Sequence, residues 1–300
     1  MKEVPSLIKQ YEPKTGQIWY HYCSAESFMA ITKNKTLRFC DLQHMNDLSE
    51  LALGEQLLYD VLEDKTLNNN QIATVLTAIE IFKERFVLVS ISFSKNGDQL
   101  SQWRGYADDA KGFSIGFDAK CFTKLPAHLL KVEYNRNVQK NLIRNAINII
   151  ATLNLDNLDA NSLNCIAELF ELFSMMKNES FAEEKEFRLV RALFIDVDND
   201  GRLFDMLKED EVYKFYLKDI DFRLVNNTPS PFVDVSFSSM NPIKRVVIGS
   251  KNHSTESDIS LYLQTKGIQE VSVRKSKSTY KENGREGALI MRPSHSHITF

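Results

Sequence analysis

The run FVLVSISFS, residues 86–94, constrains the fold more than any other stretch of the chain. Alternate side chains of an extended chain face opposite ways, so Phe86, Leu88, Ser90, Ser92 and Ser94 share one face. Val87, Val89, Ile91 and Phe93 share the other, which is wholly apolar. That pattern predicts a strand buried inside a sheet. A chain of 300 residues buries roughly three quarters of its unfolded surface, so the strand finds a core without disulfide or metal staples.

The other segments fall around this strand. IWYHY (18–22) and TLRF (36–39) read as strands, with a helix between them that starts at Ser24, a good N-cap residue. Asn46-Asp47 marks a turn into an amphipathic helix, and Asn68–Asn70 caps a second helix that leads into residue 86. QLSQWRGYADDAKG is a short helix ending near Gly112; FSIGFD (113–118) and LLKVEY (129–134) are strands. Residues 137–178 predict two amphipathic helices around NLDNLDAN. EKEFRLVRALFI (184–195) is a strand, residues 200–220 are charged and mixed, and FRLVNN, FVDVSF and IKRVVIGS are late strands. A helix closed by Gly267 follows, and the last twenty residues form a polar tail. Strands early and late with helices clustered between them predict an α+β fold rather than a regular βαβ alternation. The expected organisation is a single domain, with a core at about 18–134 and 181–280, a helical insertion at about 137–178 and a tail at 281–300.

Charge and cysteine usage narrow the function classes. A net charge of −3 argues against broad, nonspecific nucleic-acid binding. Cys23, Cys40, Cys121 and Cys165 are scattered without zinc spacing and read as reduced thiols. The N-terminus has no apolar h-region, and no apolar run is long enough to span a bilayer. The expectation is a cytoplasmic protein without membrane partners. No G-x-G-x-x-G follows a strand, and neither a P-loop, an H-E-x-x-H nor a G-x-S-x-G is present.

Five groups of residues can carry chemistry, and most also have a structural reading. His21 sits between two tyrosines and shares a strand face with Trp19; it is either a packed core histidine or a ligand contact. Trp103 and Tyr106 are i, i+3 neighbours, either core anchors or a stacking wall for a flat ring. In a strand, Glu184, Glu186 and Arg188 share a face. They form either an ion-pair network or a site, since buried carboxylates need partners or a role. Ser92 and Ser94 lie on the polar face of their strand. Asp47 reads first as a helix cap; with Glu184 and Glu186 it offers oxygen ligands for a metal, but no spacing specifies one.

The order Tyr20-His21-Tyr22, Leu37-Arg38-Phe39, Asn46-Asp47, Ser92-Phe93-Ser94, Trp103 with Tyr106, Gly112 to Phe117, Glu184 with Glu186-Phe187-Arg188, and Val247-Ile248-Gly249 resembles a widespread bacterial family of uncharacterised proteins over about residues 18–280. A more distant resemblance is to the ADP-ribosyltransferase superfamily. YHYCSAESFMAITKNKTLRF is similar to its opening strand, helix and strand, and EKEF to its closing Glu-x-Glu. The middle motif departs from it, with Ser-Phe-Ser where many members have Ser-Thr-Ser or a tyrosine.

The second resemblance implies a mixed, largely antiparallel sheet core with helical insertions. It also implies NAD as substrate and an acceptor that is a protein or nucleic acid, in a bacterial toxin or antiphage defence role. On that reading Glu186 and Glu184 are catalytic. Glu186 would bond the ribose hydroxyl, and Glu184, kept ionised by Arg188, would orient the acceptor or take its proton. His21 would bond the adenosine-side ribose, Tyr22, Trp103 or Tyr106 would wall the nicotinamide, and Ser92 and Arg188 would complete the cofactor site. The alternatives are NAD glycohydrolysis, a non-catalytic nucleotide-sensing module of the same fold, and a metal-dependent hydrolase or nuclease.

Overall fold

The computed structural model describes residues 5–44, 49–64, 67–197, 202–205, 216–278 and 280. Strand β1 (Ile18–Cys23) ends at Ser24, whose hydroxyl accepts the N–H of Ser27 and caps α1 (Ala25–Asn34). Lys35, left-handed at φ 52°, turns the chain into β2 (Thr36–Asp41). Helices α2 (Ser49–Leu62) and α3 (Asn69–Arg85) follow, and Asn68 and Gln71 cap α3 reciprocally. Then come β3 (Phe86–Ser94), α4 (Leu100–Tyr106), β4 (Phe113–Asp118), β5 (His128–Lys131), α5 (Arg136–Ile150) and α6 (Ala160–Ser174). The chain continues through β6 (Glu186–Asp196), β7 (Arg202–Phe204), β8 (Leu217–Val225), β9 (Thr228–Ser236), β10 (Ile243–Ile248), α7 (Glu256–Thr265) and β11 (Ser272–Lys275).

The strands form one sheet in the order β11-β10-β4-β1-β3-β2-β9-β8, with β6 against β3, and β5 and β7 against β6. Among the named strands the pairs are antiparallel except β10 with β11. The expected α+β class with a largely antiparallel sheet is what forms. Among the described residues no helix is long and apolar enough to cross a membrane.

The sheet forks at β3. One flank of β3 is occupied along its whole length by β6, from Phe86 opposite Phe194 to Ser94 opposite Glu186. The other flank is shared: Ser94 faces Tyr20 of β1, while Ser90 faces Cys40 of β2. β1 and β2 therefore part company over β3, and α1 spans the gap between them.

Both faces of the β3–β6 ladder are covered, but not evenly. Val89, Ile91, Phe93, Phe187 and Leu189 enter one core with Trp19, Ile115 and Phe117. On the opposite face Phe86, Leu88 and Val190 pack beneath α2, α3, α5 and α6, against Leu57, Phe82, Ile147 and Phe170. The segment expected as an insertion is thus half of a four-helix layer, and α6 is buried on most of its circumference rather than along one stripe. The helices cover only the apolar half of that face. Past it, Ser90, Ser92, Ser94, Glu186 and Arg188 line a cleft.

Several boundaries differ from the sequence reading. β6 begins at Glu186, because Lys185 is left-handed at φ 46° and breaks the extended run. β5 stops at Lys131, and Glu133 instead bridges to Met176. β8 starts within the stretch of unassigned structure, and Asn226-Asn227, with φ of 49° and 65°, make the turn to β9. Asn46-Asp47 and the tail 281–300 lie outside the described residues.

Candidate active site

The cleft at the fork has a volume of about 480 Å³. Its floor is the polar half of β3, and α1 contributes Ser27, Ala30 and Ile31 to one wall. His21 of β1 leans into the gap and meets the carbonyl of Ser92 at 3.0 Å through Nδ1. A carbonyl only accepts, so Nδ1 carries the proton and Nε2 is left as an acceptor. Burial lowers the pKa of His21, against a raising contribution from that hydrogen bond, so the ring is neutral.

Tyr22 also lines the cleft, but its hydroxyl is committed. It donates to the Asn96 carbonyl at 2.8 Å and accepts the Gln99 N–H at 3.0 Å. Burial pushes its pKa up. Trp103 stands edge-on to Tyr22, fully buried, with its indole N–H on Asp98 at 2.9 Å. It is absent from the cleft lining, which corrects its expected place in a nicotinamide wall. Tyr106, one turn later and 44% exposed, does line the cleft, with its hydroxyl 3.4 Å from Glu184 Oε1.

The loop after α4 is locked against β1. Asp108, Asp109 and Ala110 are all left-handed, with φ of 47°, 52° and 69°, a conformation unfavourable for residues with a Cβ. Gly112 and Gly249 make this packing possible: a Cβ at Gly112 would lie 2.1 Å from the Cys23 carbonyl oxygen, and one at Gly249 2.2 Å from that of Ala110.

At the start of β6 four charges converge. Lys177 Nζ lies 2.6 Å from Glu184 Oε2 and 3.0 Å from Glu186 Oε2. Arg188 donates through Nε to Glu186 Oε1 at 2.7 Å and through Nη1 to the Ser174 carbonyl at 2.6 Å. All four side chains are buried and all four line the cleft. Burial by itself would raise the Glu186 carboxyl. The charges of Arg188 and Lys177, with hydrogen bonds from Arg188 and Ser92, overcome it and hold the pKa down at about 2. One expectation is corrected here. Glu184 belongs to a short 3₁₀-helix (Glu179–Glu184) rather than the strand, and it meets Glu186 through Lys177. Arg188 holds Glu186 directly.

Lys177 was not singled out by the sequence reading. The available signal was indirect: two buried carboxylates near one arginine require another cation. It enters from the loop after α6, so the helical layer contributes a side chain to the site. Among the described residues no group of three or more His, Cys, Asp or Glu side chains is placed to hold a metal.

The profile of a family described as "Protein of unknown function (DUF2971)" matches residues 102–189. The matched stretch holds Tyr106, Lys177, Glu184, Glu186 and Arg188, but not His21. No curated protein and no solved structure matches the chain.

Proposed function

We propose that the cleft binds NAD and breaks the bond between nicotinamide and its ribose, as an ADP-ribosyltransferase-type enzyme whose acceptor is a protein or nucleic acid. The observation that supports this reading is the meeting of His21 and Glu186, from opposite flanks of β3, in one open cleft. The reaction passes through an oxocarbenium-like state. Nicotinamide leaves as a neutral ring with the bonding electron pair, so no general acid is needed. The acceptor oxygen or nitrogen then bonds to ribose C1′ and gives up its proton.

Each side chain has a place in this scheme. Glu186 is ionised at neutral pH and stabilises the developing positive charge. Its two oxygens accept from Lys177, Arg188 and Ser92, which leaves one lone pair for a ribose hydroxyl. The Nε2 of His21 accepts from the adenosine-side ribose. Tyr106 flanks the nicotinamide, and Glu184 takes the acceptor proton. A bacterial toxin or antiphage role fits such chemistry.

The test is release of nicotinamide from NAD by the purified protein, repeated with Glu186→Gln. Loss of release in the variant supports cleavage, and release without an added acceptor identifies water as acceptor. Equal release by both proteins would remove Glu186 from the mechanism. One observation favours a second reading, a nucleotide-binding module without turnover: the quartet is charge-balanced, and both Glu186 oxygens are already engaged. Measurable NAD binding with no nicotinamide release in the presence of any acceptor would select it.

A further inference from the structure

The end of the cleft away from Glu186 has a different character. There it is lined by Arg38, Cys40, Asp234 and Arg223. Arg38 is pre-oriented. Its Nε and Nη2 donate to the two carboxylate oxygens of Asp234, both at 2.9 Å, and its guanidinium lies 3.7 Å above the Phe232 ring. That geometry leaves Nη1 without a partner among the described residues. Arg223, across β9 on the edge strand β8, makes no hydrogen bond or ion pair among the described residues. Both guanidinium groups act on the Cys40 thiol, whose pKa burial raises and the two arginines lower. Cys40 therefore marks where their fields overlap.

Carboxylates are present too: Asp234 lines the cleft. Asp234 spends both oxygens on Arg38, and Asp221, which accepts the Phe222 N–H, is not part of the cleft lining. What faces the cleft is a set of planar N–H groups, the arrangement that recognises phosphoryl oxygens. The register places Arg38 two strands from β6. Ordinary strand spacing then puts it roughly 12 Å from Glu186.

We propose that this end of the cleft is a phosphate subsite, in which Arg223 and Arg38 hold a phosphoryl group of the bound nucleotide. The proposal rests on the reading of the cleft as a nucleotide site, not on cleavage. The phosphoryl group belongs either to the diphosphate joining two riboses or to a phosphate carried on the adenosine ribose.

Calorimetric titration with four probes tests this: adenosine, inorganic pyrophosphate, ADP-ribose and ADP-ribose 2′-phosphate. Arg223→Ser should weaken ADP-ribose and pyrophosphate about tenfold if the diphosphate is held. It should weaken only the 2′-phosphorylated probe if the ribose phosphate is held. Adenosine binding should not change, and Arg223→Lys should restore part of the loss by returning the charge without the planar fork. Arg38→Gln should act in the same direction. Arg223 is exposed on an edge strand, so its replacement leaves the core intact. Phosphate-bearing probes bound as tightly by Arg223→Ser as by the wild type would overturn the subsite, as would a wild type that binds none of them. Nicotinamide release with no Arg223-dependent binding sinks the subsite and spares cleavage. Arg223-dependent ADP-ribose binding without release does the reverse.

Discussion

Strand β6 holds Glu186 between Arg188 and Lys177 at its start; further along, Arg191 pairs with Asp205, and α6 places Glu171 against His128 of β5. Both regions are buried ionic clusters on neighbouring turns of the same ladder, yet they differ in what surrounds the charges. The first opens into the cleft and is balanced, with each carboxylate oxygen of Glu186 on a cation. The second is packed under the helical layer except at His128, whose side chain is 34% exposed. Burial dominates Glu171 and raises its pKa against the opposing pull of His128. His128 is lowered by burial but raised overall by its hydrogen bond and charge attraction to Glu171. In the interior beside them, Arg191 Nε and Nη1 find no hydrogen-bond partner among the described residues. The difference teaches that burial alone does not mark a site. What distinguishes the cleft cluster is that its charges are paired and together line one cavity.

Catalysis separates the two regions most widely. Glu186→Gln should reduce nicotinamide release by about 10²-fold or more, since it removes a charge aimed at the transition state. His128→Asn should leave release near the wild-type level. Equal losses in a timed chromatographic assay would erase the distinction.

Stability comes next. Lys177→Met leaves two buried carboxylates sharing one arginine and should cost about 3–5 kcal/mol in urea unfolding. The double replacement Arg191→Met with Asp205→Leu removes a whole buried pair and should be neutral or stabilising by about 1–4 kcal/mol. A large loss from the double variant would mean that the closed cluster is as necessary as the open one.

Proton linkage gives the two clusters opposite signs. Glu186 is depressed from 4.5 to about 2 in the fold, so its contribution is present above pH 4.5 and fades as pH falls toward about 2. His128 is raised above 6.5, so its contribution is complete below that pH and fades as pH rises through the folded value. Glu171, also raised, has the same sign as His128. Unfolding free energy measured against pH should lose its acid limb in Glu186→Gln and its decline above pH 6.5 in His128→Asn. Unchanged limbs would assign the titration to other groups. The smallest effect belongs outside both clusters: the exposed pair Arg144–Asp64, on the rim of the helical layer, should be worth under about 1 kcal/mol on Arg144→Ala.

Much of the fold was legible because alternation is a local property. The runs at 18–22, 86–94 and 113–118 form strands where alternation put them. The serine face of β3 was visible as well, but not its meaning, because the helices that cover Phe86 and Leu88 and stop short of Ser90 arrive from distant segments. Glu186 was legible as a buried acid. Its neighbour was not correctly placed, since a single left-handed residue, Lys185, rotates Glu184 off the strand. Trp103 and Tyr106 were read as one surface because three residues nearly complete a helical turn. The cleft edge runs between them, and only packing on β1 decides which side each takes. Lys177 was illegible for the same reason: its partners follow a turn that periodicity does not describe.

The fork has a further consequence. β1 and β2 are consecutive in the chain, so the one covalent link across the mouth of the cleft is α1, ten residues long, carrying Ala30 and Ile31 on the wall. Gape is therefore encoded in that short stretch, while the chemistry proposed above rests on residues 177–188. Altering the bulk of Ala30 should tune which molecules are admitted without touching the four charges at the start of β6, so size selection is separable from the charged cluster.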